Sequence, residues 1–321
     1  MKRVVCLLVF VLLLNGCDDG NLTVENIDFS TATTESCGAN NIIFKLKDKE
    51  ALLLEIPKSN FVNEPTVQGN PKLINIDNAT IRVVYRFYNG KVVADNVCNT
   101  IPPALPIVSD QWTATSGTIQ IITTANKTVN TTENSNRING YTHNIVFKNI
   151  TFAKNNGTQV YETFSFGDYI TSTTNLPFGF DKVVEQCPTS KQVYNYTPSE
   201  ALTIDAIDPA LIVNTVTPIG VPRTGLISAT NNKVTYRLYA NGVLSPEYFC
   251  ITTVPALPSI SEEWKAVNGV VGVSGIIEVT TTTNGSSGFK HTIVLKNVTL
   301  KKGNSDFRLG DKYLYGDLLT N

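Results

Sequence analysis

The sequence predicts an all-β protein made of two tandem, homologous β-sandwich domains, each with one disulfide. Thr, Asn, Val and Ile are abundant, whereas Met occurs once and runs of strong helix formers are absent, which favours strands over helices. Short stretches with alternating apolar and polar residues recur in the same order in the second half of the chain. With 321 residues, 42% of them hydrophobic and 17% charged, the chain can bury two cores of ordinary size.

The two halves of the chain are copies of each other. The stretch "HNIVFKNITF" that begins at His143 recurs as "HTIVLKNVTL" from His291, and other matching stretches follow in the same order. Each copy is therefore expected to form one folding unit. We place repeat 1 at residues 36–172 and repeat 2 at residues 180–321, with "TSTTNLPFGFDK" at residues 171–182 as the junction.

Each repeat is expected to hold roughly seven short strands, which is the pattern of an immunoglobulin-like sandwich. An alternating residue pattern runs up to Asn89-Gly90 in repeat 1 and up to Asn241-Gly242 in repeat 2. Each predicts a strand that ends in a tight hairpin. Further strands of repeat 1 are predicted at four stretches, Ile42 to Lys47, Ala51 to Ile56, Thr118 to Thr124 and Thr158 to Ile170.

Local irregularities are also predicted in both copies. A change of phase in the apolar pattern at Lys148-Asn149 and at Lys296-Asn297 indicates a β-bulge. Near the end of each repeat, "FSFGD" around Gly167 is matched with "FRLGD" around Gly310.

The two tryptophans occupy matching places, after the stretches "PALPIVSDQ" and "PALPSISEE". Ser109 and Ser261, each followed by acidic residues, are expected to cap one helical turn after the proline-rich corner. Trp112 and Trp264 are then expected to plug the core beside the disulfide of each repeat.

Four cysteines lie in the repeats, in matching contexts: Cys37, Cys98, Cys187 and Cys250. Four cysteines allow three pairings, and only Cys37–Cys98 with Cys187–Cys250 makes the two repeats equivalent. Each disulfide would close a loop of about 60 residues and contribute about 4 kcal/mol in the chain-entropy model. The alternative, a metal site with thiolate ligands, lacks any close Cys-x-x-Cys or Cys-His spacing, so no metal or cofactor is predicted.

The amino terminus has the form of an export signal. Lys2 and Arg3 precede an unbroken apolar run from Val4 to Leu14, which is too short to span a bilayer because a span needs about 20 residues. It fits the hydrophobic region of a secretory signal peptide at residues 1–16. The following Leu14-Asn15-Gly16-Cys17 resembles the bacterial lipobox, although Asn15 stands where a small or apolar residue is more usual.

The lipobox resemblance implies that Cys17 is the site of lipid attachment after the leader is removed. More than one acyl chain gives stable anchoring, so residues 17–35 would be a lipidated tether and the membrane a partner through its lipid. The alternative is a plain signal peptide with a disulfide cysteine nearby. The repeat argues against that alternative, because the other cysteines beyond the leader pair among themselves.

Asp18 and Asp19 directly follow the lipidation cysteine. Acidic residues at this place resemble the export signal of lipoproteins in the Bacteroidota, which implies a lipid-anchored position at the cell surface of the outer membrane. A periplasm-facing position is the alternative. Together with the paired Cys, Trp and His framework, these features resemble the uncharacterised two-repeat lipoproteins of flavobacteria and their relatives, a resemblance that implies location rather than activity.

Catalytic signatures are sparse. The formal net charge is −1 and no basic block occurs, so we exclude nucleic acid as a partner. His143 and His291 occupy equivalent positions, which favours a structural role over catalysis. Motifs for a nucleophile elbow, a zinc protease or a phosphate loop are absent from the sequence. A catalytic pair of carboxylates of the glycosidase type, such as Asp110 with Glu262 or Glu263, stays an open alternative, because the distance between the two groups depends on the fold.

Function is expected where the two copies differ. Repeat 1 carries "ANKTVNTTENSNRINGY" where repeat 2 has only "TTTNGSSGF", and the segments Lys58 to Thr80 and Ala206 to Asn232 are unlike each other. Long polar loops at the ends of sandwiches are common binding sites. Arg137, Tyr141 and Arg223 are the candidate contacts in these loops, and solvated connections are the alternative.

The sequence therefore predicts a lipid-anchored cell-envelope protein with a non-catalytic binding or structural role. A glycan or another envelope protein is the expected partner. The alternative is a carbohydrate-active enzyme, or a glycan-binding accessory protein of a nutrient-uptake system.

Overall fold

The computed structural model describes residues 26–321. The predicted signal peptide at residues 1–16, the lipidation site Cys17 and the export signal Asp18 and Asp19 lie outside the described residues. Within residues 26–321, helices long and apolar enough to cross a membrane do not occur.

The first half of the chain forms one antiparallel sheet in which strands mostly follow each other in sequence. Its order is β1-β2-β3-β5-β6-β7-β8, and β4 pairs with β6. A one-turn helix, α1 (Asp95–Cys98), lies between β5 and β6. The strands are β1 (Glu35–Ser36), β2 (Ile42–Lys47), β3 (Glu50–Glu55), β4 (Lys72–Asn75), β5 (Arg82–Tyr88), β6 (Val108–Asn130), β7 (Ser135–Lys154) and β8 (Gly157–Ser172).

The second half forms a sheet of nine strands in the order β12-β15-β16-β14-β13-β11-β10-β9-β17, and β17 also pairs with β16. The β9–β17 pair is parallel and joins the first strand of this half to its last. The strands are β9 (Val183–Gln186), β10 (Val193–Tyr196), β11 (Glu200–Asp205), β12 (Arg223–Leu226), β13 (Lys233–Ala240), β14 (Ser259–Ala266), β15 (Ile276–Asn284), β16 (Gly288–Lys302) and β17 (Ser305–Thr320).

The all-β class with two sandwich domains is confirmed, and each sheet encloses its own core. Alternation along β3 shows the principle, because Leu52 and Leu54 enter the main core of domain 1 while Leu53 joins a smaller cluster on the opposite face. The same two-sided arrangement recurs in domain 2, with Leu202 in its main core and Ala201 in the smaller cluster. Burial on both faces explains the apolar content of these short strands.

Two disulfides join Cys37 to Cys98 and Cys187 to Cys250, which is the pairing that the repeat predicts. They belong to the smaller clusters, whereas Trp112 is 1% exposed within the main core, where its ring lies 5.1 Å from that of Tyr85. The expectation that each tryptophan packs beside its disulfide is therefore wrong. The reason is strand alternation, which sends neighbouring side chains to opposite faces of the sheet.

The predicted tight hairpins are wrong, although the strands that they were to join do pair. β5 pairs with β6 and β13 with β14, but residues 89–107 and 241–258 intervene. In each domain this long connection carries the second disulfide cysteine back to the smaller cluster. Asn-Gly therefore begins a long connecting segment and not a two-residue turn. The predicted helical turns are also wrong, since Ser109 and Ser261 lie in β6 and β14.

The predicted bulges are confirmed. Asn149 and Asn297 adopt φ angles of 50° and 51°, and the β6–β7 ladder shifts register beside Asn149. The match of "FSFGD" with "FRLGD" is wrong, because Gly167 lies opposite Ile145 whereas the glycine opposite Ile293 is Gly316 in "YLYGD". Both glycines have positive φ at a bulge, a conformation that other residues seldom adopt.

The segment before the first strand is part of domain 1. Ile27 and Phe29 are 6% and 2% exposed and belong to its main core, and the buried Lys45 ammonium donates to the Phe29 carbonyl at 3.2 Å. The prediction that residues 17–35 form a tether is therefore wrong for this part. Apolar side chains two positions apart bury together as they would in a strand.

Candidate functional site

Both histidines are buried structural residues. In His143, which has no exposed surface, Nδ1 lies 2.8 Å from Thr123 Oγ1 and Nε2 lies 3.0 Å from Thr171 Oγ1. Burial, with a smaller effect of Lys72, lowers the pKa of His143 from 6.5 to about 4. His291 also has no exposed surface, and burial lowers its pKa. Each ring joins two strands through threonine hydroxyls, which supports the structural role.

Two of the predicted binding residues, Arg137 and Tyr141, lie in strand β7 rather than in a loop. The segment peculiar to repeat 1 extends β6 and β7 into a long hairpin, residues 126–141, which we call the interdomain hairpin. Tyr141 is 2% exposed, and its hydroxyl lies 2.8 Å from Ser305 Oγ of domain 2. The loop assignment is wrong because β-branched and aromatic residues, among them Val129, Ile138 and Tyr141, continue the ladder instead of ending it.

Arg137 inserts between aromatic rings at the domain boundary. Its guanidinium lies 4.8 Å from the Phe178 ring centroid and 5.2 Å from that of Phe307. It also donates to the Arg308 carbonyl at 3.0 Å. A desolvated cation on aromatic faces contributes about 2 kcal/mol, so Arg137 stabilises the contact between the domains.

The tip of the interdomain hairpin adds polar contacts to domain 2. Lys127 Nζ donates to Asp306 Oδ1 at 2.8 Å, and Asn134 Nδ2 donates to Asp311 Oδ2 at 2.7 Å. The Asp311 amide donates to the Glu133 carbonyl at 2.9 Å. The hairpin therefore covers part of β17. The segment that is peculiar to repeat 1 thus contacts the other domain.

The junction segment packs on domain 2. Phe178 stacks on Tyr236 with 4.3 Å between ring centroids. The amides of Phe178 and Gly179 donate to the Glu200 carboxylate at 3.0 and 2.7 Å, and the Tyr236 hydroxyl donates to it at 2.7 Å. Glu200 is only 1% exposed, and these three donors satisfy a buried carboxylate that would otherwise be costly.

Arg223, the third predicted binding residue, lies in β12. Its guanidinium donates to Thr281 Oγ1 at 2.8 Å and to the Thr215 carbonyl at 2.6 Å. Thr281 also lies 2.9 Å from His291 Nδ1. Arg223 therefore ties the connecting segment at Thr215 to β15. Its loop assignment is wrong because residues 223–226 pair with β15 as a strand.

The carboxylates that were open as glycosidase candidates lie in different sheets. Asp110, in β6, accepts the Trp112 indole N–H at 2.9 Å. In β14, Glu262 pairs with Lys302 and Glu263 with Arg237. Each carboxylate is engaged by a neighbour, and the two domains place Asp110 and Glu262 at equivalent positions of separate sheets.

A cavity with a volume of about 740 Å³ lies on the outer face of domain 2, next to the Cys187–Cys250 disulfide. We call it the disulfide cleft. Its size is within the range of about 300–1,000 Å³ that is typical of ligand pockets. The polar and aromatic residues that line it include Gln192, Thr203, Asp205, Arg237, Tyr239 and Tyr248.

Paired polar groups form the floor of the disulfide cleft. Gln192 Nε2 donates to Asp205 Oδ1 at 2.6 Å, and Lys233 lies 3.8 Å from the same carboxylate. Arg237 Nε donates to Glu263 Oε2 at 2.8 Å. These pairs hold the side chains in place and balance their charges.

Aromatic residues form one wall. The rings of Tyr239 and Tyr248 lie 5.2 Å apart, edge to face, and Tyr248 lies 5.7 Å from Phe249. Burial raises the pKa of Tyr239, so its phenol stays protonated at neutral pH. The arrangement combines apolar surface with hydroxyl groups.

Domain 1 has apolar residues at three of the matching positions. By strand pairing, Leu53 corresponds to Thr203 and Val84 to Thr235, since Leu53 pairs with Val84 and Thr203 with Thr235. Ile42 likewise matches Gln192. These three uncharged polar residues are thus peculiar to domain 2. Its charged pairs have polar counterparts in domain 1, namely Arg82 with Glu55 and Arg86 with Gln111.

No family model, curated protein or solved structure matches this chain. Among residues 26–321, groups of three or more His, Cys, Asp or Glu side chains arranged to hold a metal ion are also absent. The local geometry of the chain therefore supplies the argument for its function.

The disulfide cleft was not predicted from the sequence. The two copies differ most visibly in their long loops, whereas the informative differences are single substitutions inside well-matched strands, as at Leu53 and Thr203. An apolar residue in one copy and a polar one in the other, at the same strand position, was the signal that could have found it.

Proposed function

We propose that this chain is a lipid-anchored envelope protein with a non-catalytic binding role, and that the disulfide cleft of domain 2 is its ligand site. The observation that carries the proposal is the uncharged polar part of this floor, because Gln192 and Thr203 stand where domain 1 has Ile42 and Leu53. A polar floor costs free energy unless its groups are paired. Since Ile42 and Leu53 fit the same strands in domain 1, we attribute Gln192 and Thr203 to ligand binding.

Domain 1 acts as the spacer and support in this proposal. Its interdomain hairpin joins it to domain 2 through Arg137 and Tyr141. A lipid on Cys17 would lie at the amino-terminal side of domain 1, with domain 2 farther along the chain. Support for the anchor comes from the lipobox resemblance, and support for the outer face of the outer membrane comes from Asp18 and Asp19.

The anchor is tested with Cys17→Ser in the full-length chain. We expect the wild-type protein in the membrane fraction, and the variant in the soluble fraction, because it cannot take up lipid. Continued membrane retention of the variant would contradict lipidation. Protease digestion of intact cells distinguishes the cell surface from the periplasmic face of the outer membrane. A wild-type protein that is protected from the protease would face the periplasm.

Binding is tested with a library of defined oligosaccharides and peptides, using thermal shift and calorimetry on the soluble protein. We expect at least one ligand whose affinity falls at least tenfold in the double variant Gln192→Ile, Thr203→Leu, which installs the domain 1 residues. Binding that is equal in both proteins would place the site elsewhere. Hydrolysis of any glycoside in the library, lost on replacing a single carboxylate, would favour the carbohydrate-active enzyme instead.

A further inference from the structure

We infer that the disulfide cleft binds an uncharged, hydroxyl-rich ligand, namely a neutral sugar residue of a glycan. This inference rests on the proposed binding function of the same cleft and names its ligand class. It follows from three properties of the cleft, which are its charge balance, its hydrogen-bonding groups and its aromatic wall.

The charges of the cleft are already paired. Arg237 Nε lies 2.8 Å from Glu263 Oε2, and the other oxygen of Glu263 lies 2.8 Å from Lys265. Asp205 lies 3.8 Å from Lys233. A charged ligand would have to break such a pair or remain uncompensated, which is costly in a partly desolvated site. The cleft therefore favours an uncharged ligand.

The hydrogen-bonding groups include both donors and acceptors. Arg237 and the Gln192 amide group offer N–H donors, the Asp205 carboxylate has acceptor capacity beyond its bond to Gln192, and the Tyr248 hydroxyl can do either. A sugar hydroxyl donates and accepts at once, so a mixed set of this kind suits it. A ligand with acceptors alone would leave the Asp205 oxygens without a new partner.

The aromatic wall and the apolar rim complete the match. Tyr248 is half-buried at the cleft, and tyrosine combines an apolar ring with a polar tip. The rim residues Ile251, Val254 and Ile260 are 44%, 57% and 49% exposed. A sugar ring has an apolar face of C–H groups and an edge of hydroxyls, so it can cover this wall and reach the polar floor together.

The inference is tested with a glycan array of neutral and uronic-acid-containing oligosaccharides, followed by calorimetry with the neutral glycan that binds best. We expect neutral glycans to bind and their uronic-acid counterparts to bind at least tenfold more weakly. Gln192→Ile and Tyr248→Ala should each weaken binding at least tenfold while the melting temperature changes little. Glu247→Ala is the matched control, because Glu247 is the exposed neighbour of Tyr248 and should leave binding unchanged.

The outcomes separate the inference from the proposed function. If uronic acids or peptides bind as well as neutral glycans, and Gln192→Ile weakens that binding, the neutral-sugar inference is overturned and the binding function stands. If neutral glycans bind equally to wild type and to Gln192→Ile, the cleft is not their site and the inference fails. If no oligosaccharide or peptide binds, both the inference and the proposed function fail.

Discussion

Domains 1 and 2 are built on the same strands but use different surfaces. In domain 1 the face next to the disulfide has an apolar centre, with Leu53 and Val84 at 5% and 6% exposure, and the β6–β7 hairpin contacts domain 2. In domain 2 the same face carries Thr203 and a cleft, and the corresponding β15–β16 hairpin ends at Asn284. Duplication has therefore left one copy to hold the pair together and the other to present a cleft.

Removing a disulfide is expected to have the largest effect on this pair. Each closes a loop of roughly 60 residues, so loss of either should cost about 4 kcal/mol of unfolding free energy. We expect Cys37→Ser, Cys98→Ser to destabilise domain 1, and Cys187→Ser, Cys250→Ser to destabilise domain 2 and open its cleft. Urea denaturation of both variants, with ligand binding measured below the transition, checks this, and equal loss of binding in the two variants would contradict it.

The second largest effect is expected from acidification, which should lower the stability that His143 contributes to domain 1. Because burial lowers the pKa of His143 to about 4 in the folded protein, the unfolded chain binds its proton first, near its usual value of about 6.5. The contribution of His143 is therefore complete above pH 6.5 and is lost as pH falls towards 4.

The check is chemical denaturation between pH 7.5 and 4.5, compared with His143→Gln. The variant should lose part of this pH dependence, because glutamine retains hydrogen bonding without a proton to take up. His291→Gln is the matched variant in domain 2, where the pKa is also lowered. An unchanged pH dependence in both variants would show that other groups control acid stability.

Arg137→Ala is expected to lower the free energy of unfolding by less, because it weakens only the contact between the domains. It removes the guanidinium between Phe178 and Phe307 and its bond to the Arg308 carbonyl, so we expect a loss of about 2 kcal/mol. Scanning calorimetry should then show two transitions farther apart than in the wild type.

Arg82→Ala is the control for Arg137→Ala. Arg82 pairs with Glu55 at 3.2 Å on the exposed face of domain 1, and exposed ion pairs contribute only about 0–1 kcal/mol. If both variants lose the same stability, Arg137 does not act through the domain contact.

Much of this architecture was readable from the sequence. β2 was predicted to its exact ends, Ile42–Lys47, and the cysteine pairing followed from the equivalence of the repeats. The asparagine bulges followed from a break in alternation. These features depend on short-range periodicity or on internal comparison, and both are present in the residue order itself.

The candidate site was not readable in the same way. Gln192, Asp205 and Arg237 lie on three different strands, β10, β11 and β13, and nothing in their spacing brings them together. Arg137 looked like part of a polar loop because its partners, Phe178 and Phe307, lie about 40 and 170 residues farther along the chain.

By itself, the sequence determined the strand content, the duplication and the disulfide pairing. Only the tertiary structure decided which face each disulfide covers, how the extra residues of repeat 1 join the domains, and where the polar cleft lies. The physical reason is that alternation and repetition are local properties of the chain. Interdomain packing and a cleft arise instead from pairing between strands that are far apart in sequence, where register decides which side chains meet.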